Sequence, residues 1–305
     1  MIQKIDKLKL PTFGNLELLA KQIVEGFLTG LHKSPFHGFS VEFSEHRIYN
    51  QGESTRHIDW KLYAKTDKYF TKRYEEETNL RCQLVIDVSG SMFFPKEEDL
   101  NKLNFSIIAS AALVELLKKQ RDAVGLSLFS NDLKLHTEAK ISMEHLHRIY
   151  NELETYLHDY DSDKNQEETN LIETLHTIAE ITHKRSLIII FSDFYQFYQN
   201  EQKLSQVLQH LKHNNHEVLL FHTTHKSKEL DFNFSKNQHT FIDMETGEEL
   251  KLSPNELKEE YQKTTLSYFS TIKEVCNQLA IDFIPVNIEE GVEPVLFHYL
   301  SKRKK

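Results

Sequence analysis

What this chain lacks narrows it first. Two cysteines in 305 residues, Cys82 and Cys276, lie far apart and form no CxxC pair. That excludes a disulfide framework and a thiolate zinc cluster, and it suits a reduced, cytoplasmic protein. Glycine is scarce at nine residues, and neither GxGxxG nor GxxxxGK[ST] occurs. A dinucleotide fingerprint and a phosphate-cradling P-loop are therefore without support. No apolar run approaches the roughly 18 residues of a membrane span, since the longest compact one, LIIIF at 187–191, is of strand length. The amino terminus carries leucines and isoleucines at helical spacing but is broken by Lys21 and Glu25, so it does not read as a signal peptide. A basic face is missing too. Acidic residues outnumber Lys and Arg by 46 to 37, and apart from the SKRKK tail the basic ones are scattered, which argues against nucleic acid and anionic lipid as partners.

What is present alternates. Short, β-branched apolar runs stand at LVIDV (84–88), VGLSLF (124–129), LIIIF (187–191), VLLFH (218–222) and FIPVNI (283–288). Amphipathic stretches of helical length lie around 101–120, 143–157, 170–184, 201–214 and 255–280. This pattern predicts an α/β fold, a doubly wound and mostly parallel sheet with helices on both faces. Two regions break the alternation. Residues 36–80 mix polar and aromatic residues with period two and the turn signal NQGES, which predicts a β-rich insert or edge. Residues 231–254, DFNFSKNQHTFIDMETGEELKLSP, read as a hairpin turning at ETGEE before a helix. The expected organisation is an N-terminal helix and β-rich subdomain over 1–80, then the α/β domain over 81–305 with the hairpin insert.

The chemistry concentrates where strands end. LVIDVSGSM (84–92) stops an apolar run at Asp87 and then sets Ser89 and Ser91 around a glycine. Buried oxygen-rich side chains at a strand tip are costly unless something there uses them, and a hard cation is the natural user. Capping of the next helix by Asp87 or Ser89 is the plainer alternative. In open α/β sheets, ligands bind beyond the carboxyl ends of the strands. The polar residues after the other runs therefore belong in the comparison: Ser192 and Asp193 after LIIIF, and Thr169 in the loop EETNLIETL, where an N-cap role is the competing reading. Two acids and three hydroxyls offer only oxygen, which favours Mg²⁺ or Mn²⁺ over zinc or copper.

These positions resemble the metal-ion-dependent adhesion site of von Willebrand factor type A domains, with Asp87, Ser89, Ser91, Thr169 and Asp193 in its five places. The upstream stretch GFSVEFSEHRIYNQGESTRHIDWKLYAKT, with Gly38, Glu42, Arg47, Tyr49, Arg56, Asp59 and Trp60, resembles a bacterial family of unknown function that carries such a domain and is commonly encoded beside MoxR-type AAA+ ATPases. The segment FIDMETGEELKLSP and the tail FHYLSKR are similar to that family as well. The resemblance implies a Rossmann-like topology and a Mg²⁺ or Mn²⁺ ion held directly by Ser89, Ser91 and Thr169, with Asp87 and Asp193 acting through water or switching with occupancy. It further implies a partner that presents Asp or Glu, expected to be a MoxR-type ATPase, and a binding role rather than catalysis.

Other features have simpler explanations beside the functional ones. Glu75, Glu76 and Glu77 suit a solvated face as well as a partner patch. Arg47, Arg56 and Asp59 suit an ion-pair network, and Trp60 an anchor for the insert. His210, His213, His216, His222 and His225 have spacings that zinc could use, although chance spacing is common among 17 histidines. The competing enzyme is a phosphatase-like hydrolase with Asp87 as nucleophile. Such enzymes place a second aspartate two residues on, where this chain has Ser89, and SGSM forms no G-x-S-x-G elbow.

Overall fold

The structure is a computed structural model, and it describes residues 14–32, 46–48, 63, 66–67, 69–72, 80–96, 100–158, 171–195, 201–234, 239–243 and 247–303. In chain order the described elements are helix α1 (Leu16–His32), strands β1 (His46–Ile48), β2 (Phe70–Lys72) and β3 (Arg81–Asp87), helix α2 (Lys102–Lys119), strands β4 (Ala123–Phe129) and β5 (Leu133–His136), and helices α3 (Met143–His158) and α4 (Leu171–Ile181). There follow β6 (Leu187–Ser192), α5 (Glu201–His213), β7 (Glu217–Thr224), β8 (His239–Ile242), β9 (Glu249–Leu252), α6 (Pro254–Gln278), β10 (Asp282–Asn287) and α7 (Glu293–Arg303). The chain forms two compact units, residues 1–27 with 80–305, and residues 28–79.

In the larger unit six strands run in the order β10-β7-β6-β3-β4-β5, parallel throughout except for β5, which pairs antiparallel with β4. The expected mostly parallel sheet is present. Its strands are apolar without alternation because both faces are covered: Cys82 to Asp87 and Leu187 to Ser192 are all buried. On one face Val85, Ile188, Ile190 and Leu220 pack with Leu175 and Ile178 of α4, Val207 and Leu211 of α5, and Ile272 of α6. On the other, α2 lies against β3 and β4 and meets α7 and α3. Helix α2 is buried from Lys102 to Leu117. It therefore shows no polar stripe, as a helix covered on all sides need not.

The order of the strands places the functional edge. After β3 the chain adds β4 on one side, then crosses to the other side of β3 to lay down β6, β7 and β10. The direction of winding reverses between β3 and β6, and such a switch point opens a crevice beyond the strand ends. Asp87 closes β3 and Ser192 closes β6 there.

The two regions outside the alternation are described in part. The hairpin β8–β9 pairs His239 with Leu252 and Ile242 with Glu249, and its turn carries Gly247 at φ +73°, a conformation glycine adopts without strain. The smaller unit contains the antiparallel pair β1–β2, with His46 opposite Lys72. Two described elements exceed the expectation: β5, a four-residue edge strand with little burial, and α7 at the C-terminal end. The start of α1 belongs to the α/β body, where Glu154 of α3 accepts the Gly14 and Leu16 N–H groups at 3.1 and 2.7 Å. No described helix is long and apolar enough to cross a membrane.

Candidate functional site

At the switch point the carboxylate of Asp87 is 3% exposed and doubly engaged. Oδ1 accepts the Ser89 N–H at 3.0 Å, and Oδ2 accepts the Ser192 hydroxyl at 2.7 Å. The Ser89 and Ser91 hydroxyls are 3.2 Å apart, and Ser91 lies near enough to Asp193 to help lower its carboxyl. Asp193 Oδ1 also accepts the Tyr195 N–H at 3.3 Å. Four of the five residues expected from the sequence are thus joined in one polar cluster. The fifth, Thr169, lies outside the described residues, as do Glu75, Glu76, Glu77, Arg56, Asp59 and Trp60.

Local backbone explains why these residues project as they do. Ser89 is extended (φ −67°, ψ 167°) and precedes a short 3₁₀ turn, Gly90–Phe93, so its side chain is free of capping. The helix-capping alternative for Ser89 therefore does not apply, and Asp87 spends its carboxylate on Ser89 and Ser192. Helix α2 is capped instead by Asn101, whose side chain accepts the Asn104 N–H at 2.8 Å.

The cluster extends to two residues that sequence reasoning did not single out. Lys102 Nζ donates to Asp193 Oδ2 at 2.8 Å and to Glu229 Oε1 at 2.7 Å while only 1% exposed. Glu229 Oε2 accepts the His225 N–H at 2.6 Å. The sequence carries a faint signal for Lys102, a cation at the head of a helix whose next residues, Leu103 to Val114, carry no charge. Glu229, in the π-helical turn Lys226–Leu230, offered none.

Electrostatics separates the two aspartates. Burial, and then the charge of Asp193, push the Asp87 carboxyl up to about 6, against the hydrogen bonds from Ser89 and Ser192. Burial would raise Asp193 as well, but the Lys102 ammonium overcomes it and holds that carboxyl below the usual range. Burial disfavours the charged form of Lys102, yet Asp193 and Glu229 outweigh it and keep the ammonium protonated. Below the site His222 stacks on Phe194 and packs against Phe269 and Phe283, with Nε2 3.0 Å from the Asp193 carbonyl oxygen.

The donor set suits Mg²⁺ or Mn²⁺: oxygen alone, two carboxylates and neighbouring hydroxyls, with two like charges held close in a buried crevice. Three of the histidines named for their spacing have other contacts. His210 pairs with His176 (Nδ1 to Nδ1 2.8 Å), His216 accepts the Ser186 N–H, and His222 lies in the aromatic pocket. Among the described residues no three or more His, Cys, Asp or Glu side chains are grouped to hold a metal. Both cysteines are buried, and burial pushes the Cys276 thiol up to about 12, as inert thiols require.

The family model described as a protein of unknown function, DUF58, matches residues 45–268. The chain belongs to the DUF58 family. Among curated relatives, uncharacterized proteins of Mycobacterium tuberculosis and Mycobacterium bovis are 26% identical over 140 residues, 46% of this chain and 44% of theirs. The chain thus spans less than half the length of the curated relatives it matches. Of solved structures, BatB from Bacteroides thetaiotaomicron aligns at 12% identity and TM-score 0.45 over 73% of this chain and 98% of its own. An uncharacterized membrane spanning protein from Vibrio fischeri aligns at 14% identity and TM-score 0.22 over 74% and 98%.

Proposed function

We propose that this chain is a metal-dependent protein-interaction module with a von Willebrand factor A-like site. Asp87, Ser89, Ser91, Thr169 and Asp193 hold Mg²⁺ or Mn²⁺, and a protein partner docks on it through a carboxylate. The observation that carries this reading is the meeting of Asp87, Ser89, Ser91 and Asp193 at the switch point between β3 and β6. A divalent ion held mainly by neutral hydroxyls supplies incompletely offset charge and an open coordination position. The residues do the rest. Ser89 and Ser91 present hydroxyl oxygens, and Asp87, fixed by the Ser89 N–H and Ser192, contributes charge from a constant position. Ser91 is partly exposed where Asp87, Ser89 and Asp193 are buried, so it marks the side from which a partner side chain approaches.

The partner chemistry is an exposed Asp or Glu, and the candidate is a MoxR-type AAA+ ATPase, as the sequence resemblance implies. The hydrolase alternative fits less well, because both oxygens of Asp87 are engaged within the protein and the side chain is closed to solvent. Calorimetry with Mg²⁺ and Mn²⁺ on the wild type, Asp87→Ala and Ser91→Ala tests the site. Weak binding that both substitutions abolish, with unchanged circular dichroism, is the expected result. EDTA and Ser91→Ala should each reduce capture of the ATPase, without adding to one another. Undiminished ion binding in both variants would overturn the site, and phosphatase turnover lost in Asp87→Asn would replace the docking reading with a catalytic one.

A further inference from the structure

The Lys102–Glu229 pair stands one hydrogen bond behind the proposed metal residues, and its geometry is not that of a surface ion pair. The ammonium is buried and donates at 2.8 Å to Asp193 and at 2.7 Å to Glu229. Phe94 and Tyr195 lie beside it, with ring centroids 5.8 and 5.6 Å from Nζ. Glu229 is held as firmly. Its second oxygen accepts the His225 N–H, and its turn is tied down where the Ser227 N–H and hydroxyl donate to Glu289 at 2.9 and 2.6 Å. A buried positive charge therefore occupies one oxygen of Asp193 and is shared with Glu229.

We infer that Lys102 is a resident rival cation that sets how tightly the crevice binds a divalent ion, and that Glu229 is the positioning residue that holds it there. The inference rests on the metal reading above and goes further, assigning the control of affinity to residues outside the five ligands. In a crevice of low dielectric a fixed ammonium beside a ligand carboxylate opposes a second cation, and it leaves that carboxylate less charge to offer. The ion is then retained well only when an incoming carboxylate adds charge of its own. Weak affinity for the bare ion and strong dependence on the partner become two results of one lysine. Glu229 has the opposite effect: it shares the ammonium, and without it Lys102 would bear wholly on Asp193.

The experiment titrates Mn²⁺ and Mg²⁺ into the full chain by calorimetry and follows the melting temperature with each ion and with EDTA. Lys102→Met, similar in length and uncharged, should bind the ion at least about tenfold tighter than wild type. It should melt below wild type in EDTA and regain most of the difference on adding Mn²⁺, as the ion takes over the neutralisation of Asp193. Glu229→Gln should move affinity the other way, by about threefold or more. A merely structural lysine predicts the reverse of the first result, since a loosened site binds worse. Unchanged or weaker binding in folded Lys102→Met overturns the inference and leaves the metal reading standing. Should that variant fail to fold, Glu229→Gln decides, and unchanged or tighter binding there overturns the inference equally. Binding in Lys102→Met with none in wild type supports it, whereas no binding in either removes the metal reading and this inference together.

Discussion

Two alanine substitutions of glycine should have opposite signs in this protein. Gly125, inside β4, lies beneath the strand-like return of residues 137–140, which bonds back to β4 through Thr137 N–H to Leu126 oxygen and through reciprocal bonds between Val124 and Lys140. A Cβ at Gly125 would stand 2.5 Å from the Thr137 carbonyl oxygen, 3.0 Å from the Ala139 nitrogen and 2.2 Å from Gln83 Oε1. The Gln83 amide can swing away only by giving up its bonds to Ser127 Oγ at 2.8 Å and Thr137 oxygen at 3.3 Å. The Thr137 backbone can retreat only by straining the bonds on either side of it. Overpacking against such a site costs about 1–3 kcal/mol, and each lost hydrogen bond about 1 kcal/mol more. Gly125→Ala should therefore lose about 3–5 kcal/mol if both Gln83 bonds are given up, or on the order of 10 °C in melting temperature for a unit of this size. Gly26, in the exposed middle of α1, has no neighbour within 4 Å of an added Cβ. Gly26→Ala should gain about 0.5–1 kcal/mol from reduced freedom of the unfolded chain and better helix propensity. Both variants change the unfolded chain alike, so the difference between them isolates the close approach in β4. Urea unfolding followed by circular dichroism measures it. A Gly125→Ala loss below about 0.5 kcal/mol would refute the reasoning, because overpacking against backbone cannot be that cheap.

The remaining predictions concern the ends of the structure far from the site. Burial holds His216 below its ordinary value, and its Nδ1 accepts the Ser186 N–H at 3.2 Å, which a protonated ring could not do. A folded-state value below the unfolded one means the contribution is full above about pH 6.5 and is lost as pH falls through the lowered folded-state value. His216→Asn, which keeps an acceptor near Nδ1, should flatten this part of the pH dependence of unfolding; an identical slope in both proteins would contradict it. Glu154→Gln should lose about 1–2 kcal/mol, because one of the two N–H groups at the start of α1 keeps a weaker, neutral acceptor and the other meets an amide NH₂. Amide hydrogen exchange in residues 16–27 should rise with it, and unchanged protection there would show that Glu154 does not hold the helix.

The sequence by itself determined the elements and the chemistry of one strand tip. Strands covered on both faces must be uniformly apolar, which is why LVIDV, LIIIF and VLLFH were legible without alignment. The helices between them showed their stripes wherever one side met solvent. Asp87, Ser89 and Ser91 stood out because polar oxygens are out of place at the end of such a run, and Asp193 because it repeats that pattern. Edge strand β5 was not legible, since four half-exposed residues carry no periodic signal. Tertiary structure alone decided which tips are neighbours, because strand order is set by crossings that leave no local trace. It also brought Lys102 to Asp193, 91 positions away, and to Glu229, 127 positions away. A buried ammonium is stable only where carboxylates from distant segments meet it. That requirement is satisfied by the folded chain as a whole and by no stretch of it alone.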